Sequence, residues 1–107
     1  MNILYEAHAS AIGGRSGHVT TDDGALDLQL SLPKSLGGSG GAGTNPEQLF
    51  AGGYAACFEN ALIHVARQQK IPLEGTRVDA TVGIGPNDQG GFALAVKLVV
   101  TLPGLPR

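Results

Sequence analysis

Cys57 is the one cysteine among 107 residues, and it is the side chain with the widest chemistry to offer. A thiolate is a strong nucleophile and is readily oxidised, first to a sulfenic acid. Cys57 lies about one turn past Gly52-Gly53. A helix that begins afresh after those glycines places the thiol near a positive N-terminal dipole, which favours the thiolate. The same position on an apolar helix face also suits a small buried hydrophobe, the ordinary role of a lone cysteine. His64 follows at two helical turns, about 10.5 Å of rise, beyond the direct hydrogen bond of a Cys–His dyad. His8 and His18 have no metal-ligand spacing with each other or with Cys57. A single cysteine leaves neither an intrachain disulfide nor a multi-cysteine zinc site.

Arg15 sits in the turn Gly13-Gly14-Arg15-Ser16-Gly17, and Glu47 ends Thr44-Asn45-Pro46-Glu47. On residue type alone Arg15 is a solvated charge and Glu47 the reciprocal member of a Thr-x-x-Glu capping box. Gly38-Ser39-Gly40-Gly41-Ala42-Gly43 fits G-x-G-x-x-G. A dinucleotide site needs such glycines to open a helix directly, inside a parallel βαβ unit. Here five residues separate the preceding strand from the motif, and the strands read as antiparallel. A flexible loop that admits a substrate is the better reading.

The elements that must position these residues follow from periodicity. Ile3 to Ile12 alternates loosely and reads as a strand with one apolar face. His18 to Thr21 reads as a short strand, followed by the turn Asp22-Asp23-Gly24. Leu26, Leu28, Leu30 and Leu32 alternate with Asp27, Gln29 and Ser31 until Pro33 stops the strand. Together they predict an antiparallel meander. Pro46 belongs in a helix's first turn. Phe50, Tyr54, Cys57, Phe58, Ala61, Leu62, Val65 and Ala66 then recur at helical spacing, and Pro72 ends the helix. Gly52-Gly53 predicts a kink or break, with a longer helix from near Tyr54. Arg77 to Ile84 and Phe92 to Leu102 read as strands joined by residues 85–91. The last strand is apolar on both faces apart from Lys97, which predicts cover on both faces. Pro103-Gly104-Leu105-Pro106-Arg107 supplies none, so the expected cover is a partner chain or residues beyond these 107.

Composition narrows the class. With 42% hydrophobic and 15% charged residues, the chain is not intrinsically disordered, and its length suits one domain. Seven basic residues against nine acidic ones give no cationic cluster for nucleic acid, and no apolar run is long enough for a membrane span. Charge is scarce against a typical ~25%, which predicts surface buried in a two-fold homo-oligomer. Glu6 and His8 interrupt the place where a secretory signal needs an apolar stretch, so the expected compartment is the cytoplasm.

Gly13-Gly14-Arg15, the run from Leu36 to Ala51 that contains Gly43-Thr44-Asn45-Pro46-Glu47-Gln48-Leu49-Phe50, the segment Gly53-Tyr54-x-Ala56-Cys57-Phe58, and Val82-Gly83-Ile84-Gly85 resemble the organic hydroperoxide resistance (Ohr) family of the OsmC/Ohr superfamily. The resemblance runs from about Tyr5 to Arg107 and favours the Ohr branch over OsmC itself. It implies an α+β fold, an antiparallel sheet packed on a long central helix, in an intertwined homodimer with active sites near the subunit interface. It implies a thiol peroxidase acting on organic and fatty-acid hydroperoxides. Cys57 matches the peroxidatic cysteine at a helix start, and Arg15 and Glu47 match the Arg–Glu pair that contacts thiolate and peroxide. No bound cofactor or metal is implied. The co-substrate is a dithiol, in the family a dihydrolipoyl group on a lipoylated partner protein. The family's resolving cysteine lies in a downstream segment, so residues 1–107 are expected to form a single domain lacking the family's C-terminal helix and strand. The rival readings are a non-catalytic dimeric remnant of that fold, an osmotically induced OsmC-type peroxidase, and a hydrolase or transferase using Cys57 as nucleophile.

Overall fold

The computed structural model describes residues 1–103. The expectation resting on the tail from Gly104 to Arg107 lies outside the described residues. In chain order the elements are β1 (Ala9–Ile12), a 3-10 turn (Gly14–Ser16), β2 (His18–Thr21), β3 (Asp27–Gln29), a second 3-10 turn (Lys34–Leu36), α1 (Pro46–Gln68), β4 (Arg77–Pro86) and β5 (Phe92–Thr101). The class is α+β, with one long helix and antiparallel sheets. The elements fall into two compact units, Met1–Pro46 and a second that begins at Glu47.

The first unit is the expected meander. β2 is central, pairing antiparallel with β1 from Ala9↔Thr21 to Ile12↔His18 and with β3 from His18↔Gln29 to Thr20↔Asp27. The turn into β3 is closed by Asp23. Its carboxylate accepts from the Ala25 amide at 2.9 Å and the Thr21 hydroxyl at 2.7 Å, and these bonds hold it below the usual aspartate pKa.

Two strands are shorter than the alternation predicts. β1 begins at Ala9 instead of Ile3, because the ladder with β2 ends after one further bond, from the Asp22 amide to the His8 carbonyl at 3.3 Å. β3 ends at Gln29 because, after one more in-register bond from Leu30, Ser31 changes partner. The Leu30 amide donates to the Gly17 carbonyl at 2.8 Å, and Ser31 donates to Thr44 at 2.9 Å. The leucine alternation still reports burial, since Leu30 is only 4% exposed.

The glycine loop has a structural explanation. The Gly38 amide donates to Pro33 and the Gly40 amide to Leu32, at 3.0 and 3.1 Å. A Cβ on Gly38 would stand 2.1 Å from the Leu32 carbonyl oxygen, so close backbone packing requires glycine there. The expectation of a flexible, substrate-admitting loop gives way to a segment folded back on residues 29–32.

In the second unit α1 opens at Pro46, as Pro favours, but runs unbroken through Gly52-Gly53 to Gln68. The predicted break is absent. Two glycines cost about 1 kcal/mol each relative to Ala, yet helix propagation adds a hydrogen bond per residue, and good helix formers flank them. The helix ends before Pro72. Ile71 donates to Ala66 and Lys70 to Arg67, a Schellman closure with Lys70 in the left-handed conformation at φ 58°. The Thr76 hydroxyl donates to the Glu59 carboxylate at 3.0 Å, tying the segment before β4 to α1.

β4 and β5 form one antiparallel hairpin, in register from Arg77↔Thr101 to Pro86↔Phe92. Val78, Ala80, Val82 and Ile84 share a face with Val100, Leu98, Val96 and Leu94. The other face mixes Ala93, Ala95 and Val99 with Arg77, Asp79 and Thr81, so only one face of the hairpin is continuously apolar. Among the described residues the expected cover of β5 is not supplied: Phe92 is 68% exposed and Leu94 50%.

Candidate active site

Cys57 projects from the middle of α1 and is exposed. Helical spacing brings Tyr54, Phe58 and Ala61 beside it, three before, one after and four after. These four residues line a shallow hollow of about 230 Å³. Tyr54 also stacks on Phe50, ring centroids 5.6 Å apart and planes inclined by 24°. An aromatic strip therefore leads along the helix to the thiol. Of the two readings open for Cys57, the buried hydrophobe does not fit the exposed side chain of the described structure. Phe50, 42% exposed, is not a core residue either. Tyr54 and Ala61 as lining residues were readable from their spacing to Cys57.

The continuous helix overturns the expectation that Cys57 stands at a helix start. Eleven residues separate Pro46 from Cys57, about 16 Å of rise, whereas the dipole acts within the first turn. Glu47 is the residue that occupies that first turn. Ten residues place Glu47 about 15 Å from Cys57 along the axis, too far for their side chains to touch within one chain. His64 is exposed on the same helix, two turns from Cys57 as its spacing predicts.

Arg15 belongs to the first unit. It occupies the 3-10 turn Gly14–Ser16, entered through Gly13 at φ 84° and closed by the Gly17 amide on the Gly14 carbonyl at 3.1 Å. It is half-buried. Beyond this turn, His18 on β2 presents both ring nitrogens to oxygen acceptors, Asp27 at Nε2 and the Gln29 side-chain carbonyl at Nδ1. Asp27 first, and then Gln29, raise the His18 pKa above the ordinary histidine value. No signal in the sequence had singled out this cluster.

Among the described residues no group of three or more His, Cys, Asp and Glu converges as a metal site would require, and no helix is long and apolar enough to cross a membrane.

Known proteins bear closely on this arrangement. A family model described as OsmC-like protein matches residues 38–107. The organic hydroperoxide resistance protein of Xanthomonas axonopodis pv. citri is 53% identical over 106 residues, 98% of this chain and 74% of that protein. Organic hydroperoxide resistance protein OhrB of Bacillus subtilis is 46% identical, over 97% of this chain and 76% of its own length. The crystal structure of an organic hydroperoxide resistance protein OsmC from Legionella pneumophila superposes with a TM-score of 0.92 at 52% identity, covering 98% of this chain and 76% of that one.

Proposed function

The chain belongs to the OsmC-like family and, within it, to the organic hydroperoxide resistance proteins, and from that premise we propose that it is a thiol peroxidase that reduces organic hydroperoxides, those of fatty acids included, to alcohols through Cys57. The observation that carries this reading is the exposed Cys57 thiol in an apolar hollow with Tyr54, Phe58 and Ala61. A hollow of that character suits the alkyl part of a hydroperoxide while leaving its O–O bond beside sulfur.

The chemistry balances without a bound cofactor. The Cys57 thiolate attacks the distal peroxide oxygen, an S–O bond forms and the O–O bond breaks. Sulfur is oxidised to Cys-SOH, and the alkoxide takes a proton to leave as the alcohol. Arg15 stabilises the thiolate and the developing alkoxide as a fixed cation, and Glu47 orients Arg15. An external dithiol then condenses with the sulfenic acid, releasing water. Its second thiol frees Cys57 and leaves an oxidised dithiol. A dihydrolipoyl group on a lipoylated protein partner fills that role in the cytoplasm.

The working form on this reading is a homodimer. Its support is twofold. Much of the chain's apolar surface is open, including Ile12 on β1 and Phe92, Leu94 and Val96 on β5. The rigid spacing of Glu47 and Cys57 along α1 also suits a site in which Glu47 of a second copy serves this chain's Cys57.

The test is cumene hydroperoxide consumption with dihydrolipoamide as reductant, beside thioester hydrolysis as the rival activity. Consumption is expected to vanish in Cys57→Ser, with no thioester hydrolysis by either protein. Peroxide turnover that survives Cys57→Ser overturns the assignment. Mixing Cys57→Ser with Glu47→Gln chains after joint refolding is expected to restore activity that neither has alone. Failure to complement would return Glu47 and Cys57 to separate roles.

A further inference from the structure

The turn that carries Arg15 is held by a side chain from another strand. A three-residue 3-10 turn leaves its last carbonyls without partners in the turn itself. Here those carbonyls, of Ser16 and Gly17, accept hydrogen bonds from the side-chain amide nitrogen of Gln29, at 3.3 and 2.8 Å. The Gly17 carbonyl takes a second bond from the Leu30 amide at 2.8 Å, and the Gln29 nitrogen also reaches the Leu30 carbonyl at 3.2 Å. Gln29 thus spends its donors on the segment that closes the Arg15 turn.

The orientation of that amide is itself fixed. His18 and Gln29 are directly opposite in the β2–β3 ladder. Asp27, two residues before Gln29, lies on the same face of β3. The His18 ring fills the space between them, its Nε2 on the Asp27 carboxylate and its Nδ1 3.5 Å from the Gln29 side-chain carbonyl. A ring nitrogen facing the carbonyl end leaves the NH2 end of Gln29 turned toward Ser16 and Gly17. Gly17 packs so closely that no side chain fits there, since a Cβ would stand 1.7 Å from the Ile12 carbonyl oxygen.

We propose that Gln29 is a positioning residue for Arg15, its amide held by His18 on one side and clamped to the Ser16 and Gly17 carbonyls on the other, so that the turn presents the guanidinium in one place. The proposal rests on the role given to Arg15 above. Gln29 touches no reacting atom. It acts through the turn, and its loss shows as a slower reaction of Cys57 with peroxide and as a mobile Arg15.

Gln29→Glu separates the two halves of the clamp. It keeps an oxygen for His18 and puts a carboxylate oxygen against two carbonyls. The full chain carrying it is expected to react with cumene hydroperoxide about tenfold more slowly, the loss that goes with missing hydrogen bonds of this kind. Gln29→Lys returns a donor to the carbonyls but gives up the oxygen that faces His18, and is expected to recover only part of the rate. In an Arg15→Ala background Gln29→Glu is expected to have no further effect, because both act at one point. Backbone 15N relaxation gives a readout independent of chemistry, with Arg15 ordered in the wild type and mobile in Gln29→Glu. A Gln29→Glu chain with full rate and an ordered Arg15 overturns the proposal, as does slowing that multiplies with Arg15→Ala. Arg15→Ala alone distinguishes the underlying role: if that variant reacts at the full rate, Arg15 is not part of the chemistry and the proposal falls with it.

Discussion

The turn around Arg15 and the helix around Cys57 both carry glycines, and for opposite reasons. Gly17 is locked in by the Ile12 carbonyl, while a Cβ on Gly52 or Gly53 would meet nothing within 4 Å. The turn is positioned by specific polar bonds, so each member matters to geometry. The helix is positioned by its own periodicity, so Cys57 keeps its place through any substitution that leaves the helix intact. The residues proposed to carry the chemistry are held by two different means in one chain, and the two should fail differently.

The largest effect is expected at Gly17. Gly17→Ala forces the backbone apart and is expected to lower the stability of the first unit by about 3 kcal/mol or more, read from urea denaturation. A change below ~0.5 kcal/mol, the ordinary surface value, would break the contrast. Arg15→Ala should separate chemistry from fold. Stopped-flow oxidation of Cys57 by cumene hydroperoxide is expected to slow by about tenfold or more, as for loss of a charge-stabilising donor. Stability should stay within ~0.5 kcal/mol. On the helix, Gly53→Ala is expected to stabilise by about 1 kcal/mol. Destabilisation there would place another chain's backbone against the glycines and sharpen the dimer assignment.

The smallest effect is the pH response of the His18 cluster. Asp27 and Gln29 face the ring from β3, and its opposite residue on β1 is Ile12. The pKa in the folded chain is raised, so the folded state holds the proton more tightly than the unfolded one. The stabilisation is therefore complete below the ordinary histidine value, ~6.5, and is lost as pH rises through the raised value. Thermal melts from pH 5 to 9 should show this decline, and Asp27→Asn should flatten it.

Much of the fold was legible because it is written locally. β2 was placed at His18–Thr21, the helix start at Pro46 and the final hairpin within two residues of its ends, each from alternation, turn residues or a proline. What escaped depended on partners distant in sequence. β1 is short because its ladder with β2 is short, and β3 ends early because Ser31 finds Thr44. Gly52-Gly53 misled because a local cost was weighed without the cooperativity of 23 helical residues. That one error also misplaced Cys57 at a helix start. For the candidate site, residue type alone raised Cys57 without deciding between nucleophile and core residue, while Arg15 and Glu47 came forward only through the family resemblance. Gln29 read as the polar side of an alternating strand, since nothing in its neighbours announces a bond to a turn twelve residues earlier.

Leu30 and Ala66 are the only apolar residues classed as buried among the described residues, which has a consequence for how this protein responds to its own abundance. In the homodimer proposed above, so small an interior leaves stability to association, and association free energy follows concentration. Each tenfold dilution of a dimer removes about 1.4 kcal/mol. Its melting temperature should climb with protein concentration, and the first molecules made in a cell should be the least protected against proteolysis.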